Sequence, residues 1–143
     1  MSKRFPLATV LRIRGIEEDL ARGRLAGTVS AHHQATEVVA DARFAYTAAT
    51  ADTGPLSSHA FLADRERRTA YAGSLLAATA GETQASEAVT ASRVDWSEAA
   101  MRLAALERLA ERAKEARRQR MLAADQRTAE ETSAALATAR DAR

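Results

Sequence analysis

Apolar positions recur along most of this chain in alternating steps of three and four, the spacing that draws one narrow stripe down an α-helix. The longest register passes through Phe61, Tyr71, Leu75, Ala78, Ala85, Val89, Ser92, Trp96, Ala99, Leu103, Leu106, Ala110 and Ala113. Asp64, Arg68 and Glu82 occupy positions of the same register and weaken it. A repeat of about 3.5 residues is that of a coiled-coil seam, so a long helix is expected to pack a partner along it. The same register then lands on Arg117 and Arg120, so the seam is expected to end near Ala113.

Ahead of this stretch a second seam reads less regularly. Ile13, Ile16 and Leu20 begin it, and Leu25, Val29, His32, Val39 and Tyr46 resume it one residue out of phase, a slip that implies a local change of supercoil. The two stretches are separated by Asp52-Thr53-Gly54-Pro55-Leu56-Ser57-Ser58. There glycine permits positive φ, proline fixes its own φ, and Ser57 or Ser58 can cap the next helix. The elements expected are a helix over 5–51, a turn over 52–58 and a helix over 59–138, with Pro6 in the first turn of the first helix. Gly15, Gly23 and Gly27 are isolated, each costing about 1 kcal/mol relative to alanine without breaking the helix.

A short turn joins antiparallel neighbours, so the fold class is all-α: a single long antiparallel two-helix coiled-coil hairpin with a protruding C-terminal helix. Folding about residues 54 and 55 sets residue i opposite roughly residue 109 − i. Trp96 then falls beside Ile13 and Ile16, and Phe5 and Leu7 beside Leu103 and Leu106.

Composition sharpens the picture. Leu, Ile, Val and Phe together make up under about a fifth of the residues, too few for an ordinary globular core, whereas Ala, Glu, Lys, Leu and Arg exceed half of them. With a formal net charge of only +2, disorder is disfavoured. Alanine favours helices and fills little volume, so the helices should approach closely along a thin seam. The absence of cysteine excludes disulfides and thiolate chemistry. Arg12 and Arg14 interrupt the first apolar stretch too early for a membrane span or a signal-peptide core, which makes a cytoplasmic protein with no integral membrane segment the expectation.

Motifs for catalysis or cofactors are missing from the sequence. The glycines are scattered singly and form no phosphate-binding loop. His32 and His33 are neighbours, so on a helix they point about 100° apart and cannot share one metal, and His59 lies near the turn. The acidic runs Glu17-Glu18-Asp19 and Glu130-Glu131 read as solvated faces rather than general acids. No enzyme activity, metal or cofactor is expected.

Charge placement is more informative. Lys3, Arg4, Arg12, Arg14, Arg22 and Arg24 lie in the first helix, and Arg102, Arg108, Arg112, Lys114, Arg117, Arg118 and Arg120 in the second. An antiparallel fold gathers them at the open end. Glu107, Glu111 and Glu115 offset some of the second group, while Arg117, Arg118 and Arg120 are left without a counter-charge. Such a tip suits an acidic protein surface; with both charge signs mixed along the chain, nucleic acid is not the expected partner. Nearer the turn, Tyr46 and Tyr71 with Leu75 are a second candidate surface or, alternatively, seam filling.

The opening Arg4-Phe5-Pro6-Leu7-Ala8-Thr9-Val10-Leu11-Arg12-Ile13-Arg14, followed by Glu17-Glu18 and Ala21, resembles the start of the flagellar export protein FliJ family. The stretch Trp96 to Glu131, with Ala105-Leu106-Glu107-Arg108-Leu109-Ala110-Glu111-Arg112, Arg117-Arg118 and Asp125-Gln126-Arg127, is similar to that family's second helix. The resemblance covers most of the chain. It implies a cytoplasmic component of the flagellar type III export apparatus, peripheral at the inner face of the cell membrane. Its open end would insert in the export ATPase ring, and its flank would meet the membrane export gate and export chaperones. On that reading Arg12, Arg14, Arg112, Lys114, Arg117, Arg118 and Arg120 would face the ATPase, and Tyr46, Tyr71 and Leu75 the gate. The alternative is a generic structural coiled-coil adaptor or scaffold that pairs its unfinished seam with another helix.

Overall fold

The computed structural model describes residues 7–51, 54 and 57–141. It consists of two long helices that pack against each other, α1 (Ala8–Thr50) and α2 (Ser58–Asp141), with no strand among the described residues. The expected helix start at Phe5, the place of Pro6, the basic Lys3 and Arg4, and the turn residues Asp52, Thr53, Pro55 and Leu56 lie outside the described residues. Gly54 has a φ of +73°, the left-handed conformation for which glycine is suited. Ser57 is the cap of α2, its Oγ accepting from the Ala60 amide at 3.3 Å.

The helices divide into two compact units, Glu17–Ala99 and Met1–Ile16 with Ala100–Arg143. In the first, two hydrogen bonds fix how α1 and α2 align. The Trp96 indole Nε1 donates to Glu18 Oε1 at 2.7 Å, and His32 Nε2 lies 3.0 Å from Glu82 Oε1. In both pairs the residue numbers sum to 114, which displaces the pairing by five residues from the 109 − i expected. Trp96 therefore meets Glu18 rather than Ile13 and Ile16.

At this register the last residue of α1, Thr50, is level with Asp64, so α2 begins six residues beyond the end of α1. Phe61 holds a seam position yet is exposed, because no part of α1 reaches its level.

Along α2 the anticipated seam is present. Asp64, Arg68, Leu75, Ala78, Glu82, Ala85, Val89, Ser92, Trp96 and Ala99 are all half-buried, and Tyr71 on the same line is slightly more open. In α1 the seam differs from the expectation. It runs without a slip through Glu18, Ala21, Leu25, Thr28, His32, Ala35, Val39, Ala42, Tyr46 and Ala49, every one buried or half-buried. Leu20 is 58% exposed and Val29 also faces solvent. The expectation followed the bulkiest apolar side chains, whereas a closely approaching pair of helices places alanine, threonine and hydrogen-bonded polar groups between them. The buried set is correspondingly thin: Ala21, Ala49, Ala110 and Glu18.

In the second unit, Leu7, Leu11 and Arg14 on the first segment are half-buried, as are Leu103, Ala104 and Leu106 on α2. Ile16 is 54% exposed and Ile13 is exposed as well, so the start of the seam expected there lies on the outer face. Ala110 is buried, and from Glu111 onward every described position of α2 is exposed. The seam thus ends one heptad position before Ala113. No helix among the described residues is long and apolar enough to cross a membrane.

Candidate functional site

Arg12, Arg14, Arg102, Arg108, Arg112, Lys114, Arg117, Arg118 and Arg120 belong to the unit that contains the end of the seam, whereas Arg22 and Arg24 fall in the Glu17–Ala99 unit. Ala8 and Leu11 of α1 line a groove of about 580 Å³ together with Glu107, Ala110, Glu111 and Lys114 of α2. Past this groove α2 continues with no α1 residue opposite it among those described. Arg117, Arg118 and Arg120 stand in solvent there, and Arg112 and Lys114 are exposed on the stretch that lines the groove.

Their local partners differ. Lys114 Nζ donates to Glu111 Oε1 at 2.6 Å, and Glu115 Oε1 accepts from Gln119 Nε2 at 2.6 Å. Both acids thereby have contacts within their own helix, as i, i+3 and i, i+4 neighbours do. Arg112, Arg117, Arg118 and Arg120 make no hydrogen bond or ion pair with any described residue. Exposed guanidinium groups of this kind retain their full donor set for a carboxylate-bearing partner.

Arg12 and Arg14 are not gathered with them. Arg12 is exposed and Arg14 is half-buried on the seam line, engaged within the chain. The groove puts Ala8 beside the stretch 107–114, so Arg12 and Arg14 lie farther along α2 on the side away from Arg117. At about 1.5 Å per residue the separation from Arg117–Arg120 along the helix is of order 20–25 Å. The physical reason is directional: as α1 advances from Ala8, its partner positions on α2 move to lower numbers.

In the Glu17–Ala99 unit, Tyr46 and Leu75 are half-buried on the seam and Tyr71 lies on the same line. Tyr46 and Leu75 pack into the helix interface, while Tyr71 is 38% exposed. The apolar groups that do stand free near the turn are Phe44, 76% exposed, Leu76, 74% exposed, and Phe61 with Leu62. A sequence signal for them existed, since Phe44 and Leu76 are large apolar residues that fit neither seam register.

The polar groups inside that unit are structural. Glu18 is 5% exposed and receives the Trp96 indole and Arg22 Nη2, each oxygen of its carboxylate lying 2.8 Å from that guanidinium nitrogen. The Trp96 hydrogen bond, then that of Arg22, holds its carboxyl below the ordinary carboxylate range. Burial pushes Asp64 upward, but hydrogen bonds from Arg68 and Arg67 outweigh it and leave Asp64 lowered as well. Among the described residues no group of three or more histidine and acidic side chains is placed to hold a metal ion. No known protein family, curated protein or solved structure matches the chain.

Proposed function

We propose that the protein is a non-enzymatic coiled-coil component of a flagellar type III export apparatus, acting as the central stalk of the export ATPase ring and escorting export substrates or their chaperones. The observation that carries this reading is the exposed segment of α2 beyond Ala110, where Arg112, Arg117, Arg118 and Arg120 have no counter-charge within the described chain. A solvated helix bearing free guanidinium groups suits insertion into a collar lined with carboxylates, whose field would both attract and orient it. The resemblance of Arg4–Arg14 and Trp96–Glu131 to the export family supplies the identity of the collar.

On this reading the protein is cytoplasmic and reaches the membrane only through the export gate. Tyr46 and Leu75 are occupied in the seam, so the gate would meet Phe44, Phe61, Leu62 and Leu76 instead. The test is capture of the export ATPase by the intact protein and by a variant with Arg117, Arg118 and Arg120 all changed to Glu. Loss of both capture and ATPase stimulation is expected; retention of both at the parent level rejects the reading.

A second reading, a coiled-coil scaffold, draws on the exposed Met121, Leu122 and Leu136 of the same helix, which a further helix could cover. Sedimentation separates the two: a stable homo-oligomer favours the scaffold and a monomer the stalk.

A further inference from the structure

The seam of the Glu17–Ala99 unit alternates in character from one large layer to the next. At the register fixed by Trp96–Glu18 and His32–Glu82, Leu25 stands opposite Val89 and Val39 opposite Leu75. The same register sets Tyr46 opposite Arg68, whose guanidinium Nε donates to Asp64 at 2.6 Å. Read from Glu18 onward, the large layers are therefore polar, aliphatic, polar, aliphatic, polar. Between the first four of them lie layers of small residues, Ala21 with Ser92, Thr28 with Ala85 and Ala35 with Ala78, and between the last two Ala42 stands level with Tyr71.

We infer that this alternation is a register code, which makes every one-heptad slip of α2 along α1 mismatch several of the large layers at once. A slip of one heptad toward lower numbers on α2 sets Glu18 against Val89, Leu25 against Glu82, His32 against Leu75 and Val39 against Arg68. The opposite slip sets Leu25 against Trp96, His32 against Val89 and Val39 against Glu82. Apart from Leu25 against Trp96, each mismatch puts a carboxylate, imidazole or guanidinium against an aliphatic side chain in a half-buried seam, without the partner it has in the native register. The small layers impose no such penalty, since alanine, serine and threonine tolerate one another in any alignment. Without the code, a seam this rich in alanine would leave the alignment weakly specified, as a uniformly apolar coiled coil does. The inference concerns alignment within the hairpin and is independent of what the protein binds.

Cysteine cross-linking reads the register directly, because the natural chain has no cysteine. The small-layer positions serve as reporters that leave the code intact. Thr28→Cys with Ala85→Cys reports the native alignment, while Thr28→Cys with Ala78→Cys or with Ser92→Cys reports the two slips. In the parent background, cross-linking within monomers is expected at 28–85 alone. Combining His32→Leu with Glu82→Leu turns a polar layer aliphatic, so that slipped alignments gain a match; cross-linking at 28–78 or 28–92 should then rise at least about tenfold. The exchange of His32→Glu with Glu82→His keeps the layer polar and should restrict cross-linking to 28–85 again. Circular dichroism establishes that each variant is helical, and the leucine pair should be no less stable than the parent. Exclusive 28–85 cross-linking in a helical leucine-pair variant would overturn the inference and assign the register to the turn.

Discussion

The indole of Trp96 donates its N–H to the carboxylate of Glu18, 78 residues earlier in the chain, at 2.7 Å. A nearly buried carboxylate on a helix seam is unfavourable unless its lone pairs are occupied, and here the indole of the opposite helix and Arg22 of its own helix occupy them. Trp96→Ala removes both the aromatic packing and the donor. Thermal or urea unfolding should show a loss of about 2–4 kcal/mol, the range for deleting a large aromatic from a half-open site. Trp96→Phe retains most of the area and should fall between parent and Trp96→Ala; a Phe variant as stable as the parent would assign the whole effect to packing.

Acid should loosen the hairpin through the same group. Glu18 and Asp64 both titrate below their unfolded values. A depressed carboxyl stabilises the folded state above its unfolded pKa, near 4.5 for Glu and 3.8 for Asp, and that contribution disappears as pH falls through the folded pKa. Helicity melts recorded from neutral pH downward should stay level until about the ordinary carboxylate range and then decline. Glu18→Gln keeps an acceptor for Trp96 but cannot titrate, so its melting temperature should vary less with pH over that window.

Leu75 and Leu76 are adjacent and alike in chemistry, yet one lies on the seam and the other in solvent. Leu75→Ala should cost about 1–2 kcal/mol, scaled down from a fully buried leucine, while Leu76→Ala should stay within about 0.5 kcal/mol of the parent. Equal losses from the two changes would contradict the assigned helix faces.

Gly54 carries the positive φ of the turn. A Cβ there would meet nothing in space, so the effect of Gly54→Ala is purely conformational. The expected destabilisation is about 1 kcal/mol, measured by urea unfolding.

Beyond Ala110 no described residue of α2 is buried, and past the groove at Lys114 the helix is held by its own hydrogen bonds. Amide exchange should be fast over residues 111–141 and slow over 18–49, and brief trypsin treatment should cut at Arg112–Arg127 before it cuts at Arg22 or Arg43. Uniform protection along α2 would show that the extension is packed in solution.

Much of this architecture was legible in the residues themselves. The three-and-four spacing of α2, the single strong turn signal and the fading of the seam into arginine are local features, and each depends only on side-chain period and backbone freedom. They determined two long helices, the sense of their packing and the position of α2's buried stripe from Asp64 to Ala110.

Tertiary structure decided the alignment of the two helices and the face that α1 presents. The bulk of Ile13, Ile16 and Leu20 pointed to the wrong stripe, because close approach of two alanine-rich helices selects residues that are small or that find a polar partner across the seam, and that partner is unknowable from one strand of the sequence. Glu18 reads as a solvated acid until Trp96 stands opposite it. The placement of the arginines was decided in the same way within their own unit, where Arg14 is half-buried on the seam line while Arg117, Arg118 and Arg120 are exposed. Periodicity is a property of one helix, whereas register is a property of two, and it is set by the few layers whose chemistry permits only one partner.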